Sequence, residues 1–345
     1  MLRCDFDVSL DEQGNILDAF RIEKAVPTIE YLIKNEAKII LIGHLDRPGG
    51  QVVENLRLKP VQRKLSELLG RPITMAPDCI GPETEKMVGE MKIGDILLLE
   101  NLRFHKEEEE NDEGFAKELA KLGEMYVNEA FANCHRNHAS MTGLPKLLPS
   151  AAGFLLEKEI KTLENLIENP EKPLIVVIGG KKIETKAKFI NKISEIADFV
   201  LIGGIIKKEI EEKGTILSHK EKVIQPIDEA EDGKDIGWRT TELFKEKIKL
   251  ARTVFWNGPL GKTEDDRFAK GTEEIAKAII ESGAFSVVGG GETVEFINRM
   301  NLLSKFNYVS TGGGAMMTFL AGEEMPGIEA LKWRPNTSKH QVFAE

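Results

Sequence analysis

Residues Ile39 to Gly50 read IILIGHLDRPGG. The four apolar residues Ile39 to Ile42 show no alternation, so they fit a strand covered on both faces, and such strands belong to parallel sheets. The run then empties at once into His44, Asp46 and Arg47, with Pro48 and Gly49 closing a turn. A core strand ending in charged residues is the pattern of an open parallel sheet, whose ligands bind outside the carboxyl ends of the strands.

Outward from this stretch, short apolar runs alternate with segments whose apolar residues recur every three or four positions, such as AFRIEKAVPTIEYLIKN and FAKELAKLG. That alternation predicts an α/β fold with helices on both faces of parallel sheets. The first half offers the strands LRCDFDV, KIILIGH, DILLLENLRFH and MYVNEAF; the second offers LIVVIGG, FVLIGG, TVFWNGP, FSVVGGG and YVSTGGG. Between them, GFLLEKEIKTLENLIENPEKP carries a helical pattern from near Gly153 that Pro170 and Pro173 stop, a natural domain connector. The expected architecture is two doubly wound parallel-sheet domains joined by a helix hinge, residues 1–156 and 157–320. The acidic run Lys106 to Asp112, KEEEEND, reads as a solvated helix start.

Composition limits the function. The chain has 345 residues, enough for two domains, and its 41% hydrophobic and 30% charged residues are a globular balance. Its apolar runs are too short to span a membrane, and MLRCDFDV places Arg3, Asp5 and Asp7 where a signal peptide needs an apolar stretch. Cys4, Cys79 and Cys134 are an odd number at wide spacing, which suits a reducing compartment, so a cytoplasmic protein is expected. A formal net charge of −10 disfavours nucleic acid, and any anion site must be a local basic cluster.

The strand ends supply two such chemistries. In the first half they hold Asp5, Asp7, His44, Arg47, Arg103, His105, His135, Arg136 and His138. In the second half they are glycine: Gly179, Gly180, Gly203, Gly204, Gly258, Gly261, Gly289 to Gly291 and Gly312 to Gly314. Glycine lets backbone approach a ligand and frees amides to face phosphate oxygens. One His or Arg after a strand is ordinarily a capping or solvated residue, and a lone glycine pair is ordinarily a turn; recurrence at corresponding positions shifts the balance. The result is a basic edge for a small polyanion and a glycine-lined edge for a nucleotide. Cys134-His135-x-x-His138 lacks the second pair that a zinc site needs, and neither a GxxxxGK[ST] loop nor a GxGxxG fingerprint is present.

CDFDV, Arg21 in AFRIEKAVPTI, GHLDRP, LLLENLRFH, VNEAFANCHRNHAS, AAGFLLEKEI, GGKKIETK, FWNGPLGKTE, FAKGT, GGGET, VSTGGGA and MPGIEAL occur in this order along almost the whole chain. In these blocks the sequence resembles the phosphoglycerate kinases. The resemblance implies reversible phosphoryl transfer between 1,3-bisphosphoglycerate and ADP, giving 3-phosphoglycerate and ATP in glycolysis, with Mg²⁺ as cofactor. It implies that residues 1–156 bind the triose phosphate, that 157–320 bind the adenine nucleotide, and that 321–345 return to the first domain. Asp5, Arg21, His44, Arg47, Arg103 and Arg136 match residues that hold 3-phosphoglycerate, with Asp7 where the family usually has Asn. Lys182 matches the lysine at the transferring phosphoryl group and Lys186 the one on the nucleotide phosphates. Gly179, Gly180, Gly203, Gly204, Asn257 and Glu264 fall at nucleotide positions. Gly290, Gly291, Glu292 and Thr293 match the phosphate and metal turn, Glu292 being the Mg²⁺ ligand. Gly313 and Gly314, with Arg21 and Lys182, match the catalytic group. A carboxylate acceptor needs no general base, so the chemistry is positioning and charge, with closure about the connector bringing the substrates together.

The departures keep alternatives open. The family's leading segment is expected to be absent, the stretch between Gly203 and Phe255 is short, and a family glycine is Ile205 here. The family's metal-binding Asp is Glu292, Thr185 replaces an Asp, ANCHR replaces GTAHR, and HLGRP has become HLDRP, adding Asp46. An active but divergent monomeric kinase is expected; a non-catalytic relative that binds a phosphorylated metabolite or a protein partner, or a kinase of another acyl phosphate, remains open.

Overall fold

The computed structural model describes residues 1–180, 183–230 and 233–332, the side chains of 183–185 excepted. The chain forms two units: Met1–Glu159 joined by the late helix Pro326–Lys332, and Ile160–Glu323. The boundary falls inside the helix Phe154–Glu168, which starts one residue after Gly153 and stops short of Pro170.

The first unit holds a parallel sheet of order β3-β4-β2-β1-β5-β6. Its strands are β1 (Leu2–Arg3), β2 (Ile39–Ile42), β3 (Thr74–Met75), β4 (Ile96–Leu98), β5 (Tyr126–Asn128) and β6 (Ser150–Ala152). The side chains of β2 alternate between two apolar clusters. Ile39 and Leu41 join Leu2, Ile22, Ile29 and Leu65, while Ile40 and Ile42 join Leu97, Phe115, Leu119 and Tyr126. This is why the run shows no alternation of polarity: both faces are covered. Each such side chain contributes about 1.5–3 kcal/mol by leaving water.

The second unit repeats the plan with a parallel sheet of order β14-β13-β12-β7-β8-β9. The strands are β7 (Leu174–Ile178), β8 (Phe199–Ile202), β9 (Val223–Ile224), β12 (Thr253–Asn257), β13 (Phe285–Gly289) and β14 (Tyr308–Val309); β10 (Glu229–Ala230) and β11 (Asp235–Ile236) form a separate antiparallel pair. Every residue of β7 and β12 is buried, and the two pair from Leu174↔Thr253 to Ile178↔Asn257. The chain winds one way from β7 through β8 and β9 and the other way through β12, so the sheet reverses between β7 and β12, where an open α/β sheet leaves a crevice. No helix among the described residues is long and apolar enough to cross a membrane.

Two expectations needed correction. LRCDFDV is a strand only at Leu2–Arg3, because after Cys4 bonds to Ile42 the chain turns, with the Asp7 amide donating to Asp5 Oδ1 at 3.2 Å. The acidic run is not wholly solvated: Glu108 is fully buried and accepts both the amide and the hydroxyl of Ser140, at 2.9 and 2.5 Å.

Candidate active site

In the first unit the strand ends collect cations around His44, which is buried. Arg3, buried beside it, places Nη2 3.1 Å from His44 Nδ1 and Nε 3.0 Å from Ser140 Oγ, and its Nη1 donates to the Cys4 carbonyl. Arg103 is also buried, its Nη1 donating to the Asp46 carbonyl at 2.8 Å and its Nε lying 3.2 Å from Glu109 Oε1. Arg21, on the helix Phe20–Lys34, pairs with Asp5 Oδ2 at 3.1 Å and donates to the Asp7 carbonyl at 3.0 Å. Asp7 Oδ1 accepts the Asp46 amide at 2.8 Å, and its Oδ2 lies 3.9 Å from both His44 Nε2 and Arg21 Nη1. Arg136 is half-buried and Arg47 exposed.

The electrostatics follow from this crowding. Burial drives the His44 imidazole well below its ordinary pKa, and Arg3, Arg103, Arg136 and His138 push it the same way. His138 falls to about 3 for the same reasons. Burial and Arg136 lower even the Arg103 guanidinium. Burial raises the Asp5 carboxyl while Arg21 opposes the rise. Arg103 Nη2 and Arg136 Nε are buried without a hydrogen-bond acceptor. Unsatisfied cations of this kind cost stability, and an anion that accepts from them removes the penalty.

In the second unit the glycines let backbone meet backbone. The Gly179 amide donates to Asn257 O at 2.9 Å and the Gly180 amide to Pro259 O at 2.7 Å, across the β7–β12 reversal. A Cβ on Gly179 would collide with Pro259 O and one on Gly258 with Gly179 O, and a Cβ on Gly313 would sit 2.7 Å from Gly290 Cα. Lys186 is buried, its Nζ donating to the Gly179 carbonyl; burial lowers it to about 8, with Glu292 and Glu209 opposing. Asn257 Nδ2 and Thr293 Oγ1 are buried without partners, and Asn257 Nδ2 lies 3.2 Å from where a Gly290 Cβ would be. Gly203 precedes the helix Gly204–Lys213, and Gly291, Gly313 and Gly314 open the helices Gly291–Arg299 and Gly313–Leu320. Helix N-termini of this kind favour anions. A cleft of about 400 Å³ runs past Gly180, Ile205, Glu209, Lys262, Glu264 and Glu292.

The structure thus gathers Asp5, Asp7, Arg21, His44 and Arg103 within the first unit, and Gly179, Gly180, Lys186, Gly203, Asn257, Gly290 and Gly313 within the second. Lys182 lies outside the described residues. His105, read with the basic edge, instead pairs with Asp78 at 2.7 Å. Arg3 and Glu108 were missed; the available signal for the first was an arginine set between the apolar Leu2 and Cys4.

Buried guanidinium groups at one set of strand ends, and glycine turns with a buried lysine at another, are the equipment of a small-molecule phosphotransferase. The family model described as phosphoglycerate kinase matches residues 1–211 and 205–323. A phosphoglycerate kinase of Coprothermobacter proteolyticus is 42% identical over 373 residues, covering 96% of this chain and 95% of its own. One of Dictyoglomus turgidum is 42% identical over 377 residues, with the same two coverages. The crystal structure of the enzyme from Pyrococcus horikoshii OT3 superposes with a TM-score of 0.86 at 32% identity, over 96% of this chain and 95% of that one. The chain belongs to the phosphoglycerate kinase family. The alignments are longer than its 345 residues, so it carries gaps against these relatives, and the two stretches of the family match overlap at residues 205–211.

Proposed function

We propose that this chain catalyses reversible phosphoryl transfer between 1,3-bisphosphoglycerate and ADP, giving 3-phosphoglycerate and ATP in glycolysis. The observation that carries the reading is the set of incompletely bonded guanidinium groups around neutral His44, a site suited to an anion. The first unit holds the triose phosphate: Arg103 and Arg136 offer forked donors to its carboxylate and phosphate, Arg47 reaches from the exposed loop, and Asp5 and Asp7 orient Arg21. The second unit holds the nucleotide: the amides of Gly204, Gly290 and Gly291, with Lys186, Asn257 and Thr293, receive phosphates, Gly179, Gly180 and Gly203 let the backbone pass close by with their own amides already bonded, and Glu264, which lines the cleft, serves the nucleoside. Arg21, Lys182, Gly313 and Gly314 serve the transferring group, whose loose transition state needs positive potential rather than covalent help. An exposed carboxylate beside an unbonded hydroxyl suits Mg²⁺, which binds through one or two carboxylates and substrate phosphates; Glu292 and Thr293 would hold it, and it would neutralise phosphate charge. Three free, buried cysteines fit a reducing cytoplasm.

Isothermal titration with 3-phosphoglycerate tests the site. Binding should weaken by at least about tenfold in Arg136→Ala and in Arg47→Ala, each charge-assisted contact being worth roughly 1.5–3 kcal/mol. Absence of heat from the unmodified protein at millimolar ligand rejects the assignment.

A further inference from the structure

The turn after β3 and the turn after β4 bring together three side chains that the kinase reaction does not use. Asp78, Cys79 and His105 each offer a ligand atom, and these atoms lie within 4.8 Å of one another. His105 Nε2 is 2.7 Å from Asp78 Oδ1, which also accepts the Cys79 amide at 2.6 Å. The Cys79 side chain is fully buried, while those of His105 and Asp78 are 25% and 47% exposed, so the cluster has a wet side through which an ion can enter. The His105 ring packs on Phe115 with centroids 5.3 Å apart, which fixes its orientation. We propose that Asp78, Cys79 and His105 form a binding site for a thiophilic divalent cation of the zinc class, with water completing its coordination.

The donor set selects the ion. One sulfur, one imidazole nitrogen and one carboxylate oxygen match zinc and its neighbours and do not suit Mg²⁺ or Ca²⁺, which take oxygen alone. The local field is negative: Asp78 and Glu107 face His105, and Asp78 and Glu108 face Cys79. A cation relieves this repulsion. Binding displaces the thiol proton to solvent and replaces the Asp78–His105 hydrogen bond with two bonds to metal, those two side chains parting slightly and the Cys79 sulfur drawing in to reach bond lengths of about 2.0–2.3 Å. Bound metal ties the Asp78–Cys79 turn to the turn that carries Arg103, so it stabilises the first unit.

The test uses the metal-free, full-length protein with excess Mg²⁺ present to saturate oxygen-only sites. Co²⁺ should produce a thiolate-to-cobalt charge-transfer band that saturates at one equivalent, and Zn²⁺ should displace it and raise the melting temperature. His105→Gln should weaken Co²⁺ affinity at least about tenfold, Cys79→Ser should abolish the band, and Cys4→Ser should keep it. Turnover without added thiophilic metal should be unchanged in Cys79→Ser, which shows that the variant folds. No band in the unmodified protein, or a band that survives Cys79→Ser, overturns the proposal and leaves Asp78 and His105 as an ion pair beside an inert thiol.

Discussion

Arg3 Nη2 lies 3.1 Å from His44 Nδ1, and both side chains are buried. A guanidinium only donates, so Nδ1 must accept, and the single ring proton of neutral His44 sits on Nε2. Nitrogen NMR should show unprotonated Nδ1 and protonated Nε2 throughout pH 5 to 8. An imidazolium signal at pH 6 would contradict the arrangement. Because the folded pKa is lowered, the stability that neutral His44 contributes is present above the unfolded pKa of 6.5 and is lost as pH falls.

Glu129 reports on pH with the opposite sign. It accepts from Thr28 Oγ1 at 2.5 Å and from the Leu155 amide at 3.0 Å, yet burial raises it from 4.5 to about 7. The folded state therefore holds its proton more tightly than the unfolded chain does. This stabilisation is complete below pH 4.5 and is lost as pH rises through 7, by on the order of 3 kcal/mol at most. Denaturant unfolding at pH 5 and pH 8 should show this loss in the unmodified protein and not in Glu129→Gln; equal pH dependence in both would refute it.

The glycine turns differ in what they tolerate. Gly258 combines φ +88° with backbone that a Cβ would strike, whereas at Gly291 nothing lies within 4 Å of the added atom. Gly258→Ala should destabilise the second unit by at least about 3 kcal/mol, and Gly291→Ala by less than about 0.5 kcal/mol, read from chemical denaturation. Similar losses at both positions would contradict the close approach of β7 and β12.

Asp46 has φ +54°, a conformation glycine adopts without cost and aspartate tolerates at some cost. Its carboxylate also adds negative charge beside the basic cluster. Asp46→Gly should bind 3-phosphoglycerate about three- to tenfold more tightly, since like charge near an anion lowers affinity. Weaker binding in the titration would mean that Asp46 contributes a contact.

Much of this was legible in the residues themselves. Ile39–Ile42, Leu174–Ile178 and Thr253–Asn257 announce central strands because burial on both faces leaves an unbroken apolar run, and Gly153 with Pro170 brackets the connector helix. Thr74–Met75, Ser150–Ala152 and Val223–Ile224 did not, since two or three residues carry no period and their pairing depends on neighbouring strands. In the site, the cations that follow the longer apolar runs stood out. Arg3 and Glu108 did not, because the residue that hydrogen-bonds to both is Ser140, far along the chain and with nothing in the sequence to single it out. His105 carries the same sequence pattern as its basic neighbours, and what sets it apart is Asp78, which lies opposite it only in the fold.

The most direct measurement of the central claim is a coupled assay of ATP-dependent consumption of 3-phosphoglycerate at saturating Mg²⁺. The account predicts turnover by the unmodified protein and its loss in Lys182→Ala. It also predicts similar or higher turnover in Glu292→Asp, because a carboxylate of either length ligates Mg²⁺ when its reach suits octahedral geometry. No phosphoryl transfer by the unmodified chain, and none gained in Glu292→Asp, would contradict it.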